Sequence, residues 1–237
     1  MRIQKINAAL LKSCLFTLLG FCIVTMPMER AYSDDSASAD LNGIIPDSLT
    51  ALEEQAEDII DVVPAAKWAT VNADIANIDN SWAHYHPQAE QDQVSQTTQQ
   101  MFLEALSRLK SLAAEQDALG TMQTANDLSA AVIEMFDVYH PAIPTGIGRL
   151  DVLERQIILD VTTQKFTVAH ETLTKIQTVW EQVKPSISEH NGQSSIEQFT
   201  ASLTFQAQAL QEKDVEKLKK EAQNGLEIVD LFEKLYE

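Results

Sequence analysis

The chain has 237 residues and a formal charge of −18, from 17 Lys and Arg against 35 Asp and Glu. So negative a surface repels phosphate backbones and anionic lipid, which argues against nucleic acid and membrane-surface partners. Only two cysteines occur, Cys14 and Cys22, and both lie in the first apolar stretch.

That stretch reads as an export signal. Arg2, Lys5 and Lys12 form a positive start, and an apolar run from Cys14 to Met26 follows. The run is shorter than the roughly 20 apolar residues a bilayer span needs. Ala31-Tyr32-Ser33 then offers a small-x-small cleavage site, so residues 1–33 are expected to be a cleaved signal peptide. The mature chain, periplasmic or extracellular, would have no integral membrane span and no cysteine. Cysteine-ligated zinc, iron–sulfur clusters, thiol catalysis and c-type haem are thereby excluded from it. It would carry 13 bases against 34 acids, a balance of −21.

Residues 34–45 are small and polar and read as a flexible leader. From Pro46 onward apolar residues recur at three- and four-residue spacing, the mark of amphipathic helices. The expected fold is all-α: two tandem four-helix, up-and-down bundle-like repeats, at 46–139 and 149–237, joined by a Pro- and Gly-rich linker at 140–148.

A shift of 98 residues without gaps aligns the two halves. Pro46 falls on Pro144, Leu52 on Leu150, Trp82 on Trp180 and Pro87 on Pro185. Further along, Gln100 meets Gln198, Leu112 meets Leu210, Asn126 meets Asn224 and Leu128 meets Leu226. The second helix of each half repeats one buried stripe, Trp68, Val71, Ile75, Ile78 and Trp82 against Phe166, Ala169, Leu173, Ile176 and Trp180. In the first helix the stripe is Leu49, Leu52, Ala56, Ile59 and Val63, with Asp47 or Ser48 as its cap. Its acids Glu53, Glu54, Glu57, Asp58 and Asp61 read as a solvated face. Third helices are expected at 97–116 and 195–211, and fourth helices at 119–139 and 215–236.

Histidine is the commonest neutral metal ligand. His84 and His86 precede Pro87, where the second helix is expected to end, and His140 ends the fourth. In an up-and-down bundle these ends share a pole. Three imidazoles there, with Asp137, Glu90 or Met135 as a further ligand, would suit copper, zinc or iron. Asn126 and Asn224 each share a helix face with apolar neighbours. They are expected to be buried amides that fix helix register, or contacts to a ligand in the bundle interior. Glu154 takes the stripe position of Ala56. If buried, it needs Arg149, Arg155 or Asn126 as a partner. Alternatively a slight rotation puts Leu153 in the core and Glu154 at the rim, which the ready stripe of Leu153 and Ile158 favours.

An export signal followed by duplicated helical bundles resembles the imelysin-like exported proteins, which are associated with iron uptake. Their His-x-x-Glu pair is missing, because His86 meets Glu90 one residue too far along. No residue role is carried over from them. No Gly-x-Ser-x-Gly, His-Glu-x-x-His or phosphate loop occurs either. The sequence therefore points to an exported, non-enzymatic binding or interaction protein. Its partner is a protein, or a small ligand held between the two units; the alternative is a metal-handling protein using the histidine pole. Mass spectrometry of the exported protein should find a mature N-terminus at Asp34; an intact Met1 in that fraction would refute the cleavage.

Overall fold

A computed structural model describes residues 43–236. The expected signal peptide and most of the leader lie outside the described residues. The last leader positions are tied down rather than loose. Gly43 N–H donates to Tyr139 O (2.9 Å), and Ile45 packs on the core.

Among the described residues there are eight α-helices and no strand. The first half holds α1 (Asp47–Val62), α2 (Trp68–Gln91), α3 (Gln96–Glu115) and α4 (Ala118–Phe136). The second holds α5 (Thr145–Thr162), α6 (Phe166–Glu189), α7 (Gln193–Glu212) and α8 (Val215–Glu233). Short 3-10 turns, Val63–Ala65 and Asp137–Tyr139, follow α1 and α4. In each half the helices pack in a ring, first on second, second on third, third on fourth, fourth on first, around a core of its own. Between the halves α4 packs against α5. That second neighbour buries α4 on more than one face, with Asn126, Ser129 and Ile133 covered as well as its core stripe. No described helix is long and apolar enough to cross a membrane.

The helix boundaries differ from the sequence expectation in ways that have physical causes. Pro87 does not end α2, nor Pro185 α6; both lie inside their helices. Tyr85 and Ala89 on either side of Pro87 are buried, as are Val183 and Ile187 around Pro185. Core packing holds the helix together past the one missing N–H. Neither Asp47 nor Ser48 caps α1; Pro46 occupies the cap position without a side-chain bond. The expected linker shrinks to 140–144, because Gly146 and Gly148 belong to α5. A side chain at Gly148 would meet Ile133 Cδ1 at 2.6 Å, so this glycine allows α4 and α5 to approach closely.

The spacing between corresponding helices is 98 residues for α1/α5 and α2/α6, but 97 for α3/α7 and α4/α8. Non-glycine residues in the left-handed conformation close the helices at the same intervals, Ala66 and Gln164, Gln93 and Asn191, Gln116 and Lys213. The slip falls just before the third helix, where Ser95 has no counterpart beside Gly192. The Asn126/Asn224 match at 98 is therefore out of structural register. Asn126 is buried against α5, whereas Asn224 is exposed on α8 and belongs to no buried network.

In corrected register one group of core positions changes together. The first half has Ala56, Ala105, Leu109 and Leu128, all buried and apolar. The second has Glu154, Ser202, Gln206 and Gly225, all buried too. Glu154 is 0 % exposed, so the rim position expected for it is overturned. None of Arg149, Arg155 and Asn126 is its partner. Gln206 Nε2 donates to both of its carboxyl oxygens, at 3.0 and 2.9 Å. The room comes from Gly225, where an added Cβ would lie 2.6 Å from the Glu154 carboxyl carbon. Gly225→Ala should thus cost about 1–3 kcal/mol by overpacking. In a Glu154→Ala background the same change should instead gain up to about 1 kcal/mol from helix propensity. Denaturant unfolding of the double-mutant cycle reads the reversal; equal effects in both backgrounds would refute the packing account.

Candidate functional site

A cleft of about 560 Å³ opens where the two halves meet. Glu53 and Glu57 come from one face of α1, Asp151 and Arg155 from one face of α5, each pair spaced by one helical turn. Arg155 holds the centre. Its side chain is 15 % exposed, with Nη2 donating to Glu57 Oε1 (2.7 Å) and Nη1 2.6 Å from Asp151 Oδ2. In the latter contact neither Asp151 Oδ2 nor Arg155 Nη1 has hydrogen-bond geometry to any partner. The remaining wall is made by Ile133 and Phe136 of α4, Ile143 and Pro144 of the connection, and Asp230, Glu233 and Tyr236 near the chain end.

The carboxyls share few protons and one cation. Burial first, and then Glu57 beside it, pushes Glu53 up to about 9. Burial also raises Asp151 well above the carboxylate range, although Arg155 pulls the other way. Glu57 behaves oppositely. Burial would raise it too, but Arg155 and hydrogen bonds from Glu53, Arg155 and Asp151 together hold it below its ordinary value. The arrangement is thus one carboxylate, Glu57, paired with a guanidinium and flanked by two acids that keep their protons.

Polar contacts extend this seam along α4 and α5. Asn126 Nδ2 donates to Val152 O (3.1 Å) and Gln156 Oε1 (3.2 Å). Gln123 and Gln156 exchange amide bonds at 2.7 and 3.0 Å. Arg149 bonds Glu134 (3.0 Å) and Asp137, fastening the start of α5 to the end of α4. Asn126 and Arg155 therefore belong to contacts between the halves.

The histidines are not gathered in the same way. His84 is exposed with Nδ1 2.7 Å from Asn80 O, His86 sits 3.6 Å from Glu90, and exposed His140 closes a turn at φ 47°. Of the suggested further ligands, Met135 is buried in the first core, and Asp137 is taken by Thr145 and Arg149. Among the described residues no group of three or more His, Cys, Asp or Glu is placed to hold a metal ion. The pole is filled instead by tyrosines adjacent to the histidines. Tyr139 donates to Asp92 Oδ2 (2.8 Å), and its Oη lies 3.2 Å from that of Tyr85. Burial pushes Tyr85 up to about 12.

Reading α1 acids as a uniformly solvated face missed Glu53 and Glu57, which are half-buried; Glu54, Asp58 and Asp61 are exposed. The signal was present. At the shift of 98 residues Glu53 pairs with Asp151, and Glu57 pairs with Arg155, its salt-bridge partner. Comparison of the chain with family models, with curated proteins and with solved structures finds no match.

Glu154 gives this site's surroundings a pH signature. Burial raises it from 4.5 to about 8, more than the Gln206 hydrogen bonds lower it. Its folded form holds a proton that the unfolded chain releases above about pH 4.5, so the associated stability is complete below that pH and is lost as pH rises through 8. Chemical denaturation should show stability falling over that interval, by about 3–5 kcal/mol from Glu154. Glu154→Gln, neutral throughout, should flatten that part of the profile; an unchanged slope would refute the assignment.

Proposed function

We propose that this chain is an exported, tandemly duplicated four-helix protein that binds a small ligand in the cleft between its halves and performs no chemistry on it. The observation that carries this reading is the pairing of the cleft's lining. Ile45 and Ile143, Thr50 and Gly148, Glu53 and Asp151, Glu57 and Arg155 are 98 residues apart, and Ile133 and Asp230, Phe136 and Glu233 are 97 apart. Both copies present corresponding positions to one chamber, as duplicated units do when they meet about a pseudo-twofold axis. The volume suits a small molecule, since ligand clefts run from about 300 to 1,000 Å³. The helical stripes repeated in register, and the αL helix ends at matching intervals, support the duplication. The positive, apolar, small-x-small start of the chain supports export.

Binding rather than catalysis fits the protonation pattern. A general base needs a carboxylate free to accept a proton, and none of the three acids around Arg155 offers one: Glu57 is committed to Arg155, and Glu53 and Asp151 keep their protons. Ala142 is exposed, lies outside any helix and lines the cleft, so Ala142→Trp should fill it without disturbing a core. Native mass spectrometry of protein purified from its own compartment should show a retained small molecule, and Ala142→Trp should lose it. An adduct kept by that variant, or none in either protein, would overturn the reading.

A further inference from the structure

The cleft's paired positions differ in a systematic way. Where the first half contributes Ile133 and Phe136 from α4, the second contributes Asp230 and Glu233 from the corresponding places on α8. The cleft is thus lined by an apolar pair from the first half and an acidic pair from the second, together with Glu53, Glu57, Asp151 and Arg155.

The one cation among them is already committed. Arg155 sits against both Glu57 and Asp151, so its charge is met within the protein. Asp151 is 8 % exposed and lines the cleft, its Oδ2 2.6 Å from Arg155 Nη1. Five acidic side chains therefore line the cleft with a single engaged base, beside apolar side chains of α4.

We propose, resting on the cleft reading above, that the ligand is an organic ammonium ion with an apolar body, its cationic end toward Asp230 and Glu233 and its body against Ile133 and Phe136. An ammonium group on a hydrocarbon stem carries donors for the acids and area for the apolar wall. A neutral molecule of the same shape forfeits the charge, and an anion meets repulsion from the rim acids.

Three probes of nearly equal shape separate these cases: 2-phenylethylammonium, 2-phenylethanol and 3-phenylpropanoate. Titration calorimetry near neutral pH should rank the ammonium ion first by at least about tenfold. Ala142→Trp should abolish its binding. Glu53→Gln leaves a neutral side chain where a protonated acid stood, so the fold should stand, and circular dichroism checks this. Asp230→Ile places the first half's residue in the second half's position on an exposed site; it should weaken the ammonium probe about tenfold and improve the alcohol. Alcohol binding as well as the ammonium ion, still blocked by Ala142→Trp, would overturn the charge assignment and leave the cleft reading intact. Preferential binding of the carboxylate would overturn it in favour of Arg155 as anchor. No binding by the ammonium probe at millimolar concentration overturns the proposal by itself; the cleft reading then stands or falls on the adduct found by native mass spectrometry.

Discussion

A guanidinium cannot shed its proton in a protein, and Arg155 is almost wholly withdrawn from water. That single constraint organises the junction of the two halves. The charge has to be met by carboxylates brought from elsewhere, and Glu57 supplies one from α1 in the other half. Meeting it aligns α1 with α5 and sets the floor of the cleft. It also decides which acids ionise. Glu57 stays charged because the cation is beside it, while Glu53 gains nothing comparable and remains an acid under the pressure of burial. Replacing one partner of such a buried pair costs more than the pair contributes, because the other charge is stranded. The ion pair is thus better understood as fixing how the halves sit than as a large source of stability.

The second half carries another buried carboxyl, and here the solution is different. Glu154 has no cation near it; its neighbours are an amide and a missing side chain. Four core positions differ together from their counterparts in the first half. Gly225 stands where the first half has a leucine, and Glu154 where it has an alanine. Gln206 provides the donor, with Ser202 beside it. A change at one of these positions alone would leave either a void or a clash. The first core is apolar at all four places, so the two halves, each a ring of four helices, fill their interiors by different chemistry.

These features also explain what could be read in advance. Helix positions and buried stripes were legible because core burial at 3.6-residue spacing is written directly in residue type. Trp82 and Trp180 illustrate it: the first stacks on Phe102 at 4.5 Å and the second on Phe232 at 5.5 Å. The register beyond Gln93 was not legible in an ungapped shift, because Ser95 is one extra residue in a turn that has no periodicity of its own. Asn224 was misplaced for that reason. Glu154 defied the pattern because its burial depends on residues about fifty and seventy positions away, Gln206 and Gly225, whose joint effect no local window contains. The histidines attracted attention by chemistry alone, yet Tyr85 and Tyr139 beside them occupy the packed pole.

The cleft was the hardest feature to foresee, and for a physical reason. Acids on an amphipathic helix normally face water, and nothing local separates Glu53 and Glu57 from Glu54 and Asp58. The difference arises only when α5 arrives with Asp151 and Arg155 at the corresponding turn. A shift that pairs a glutamate with an arginine looks like a mismatch when scored as identity. Scored as charge it is a contact, since positions 98 apart meet across the junction. Identical residues there would have set two glutamates or two arginines against each other. Unlike residues at these two positions therefore let the halves come together, and the same logic extends along the cleft. Where α4 has isoleucine and phenylalanine, α8 has aspartate and glutamate. Like walls would present the same chemistry twice, whereas these present an apolar surface from one half and an acidic one from the other.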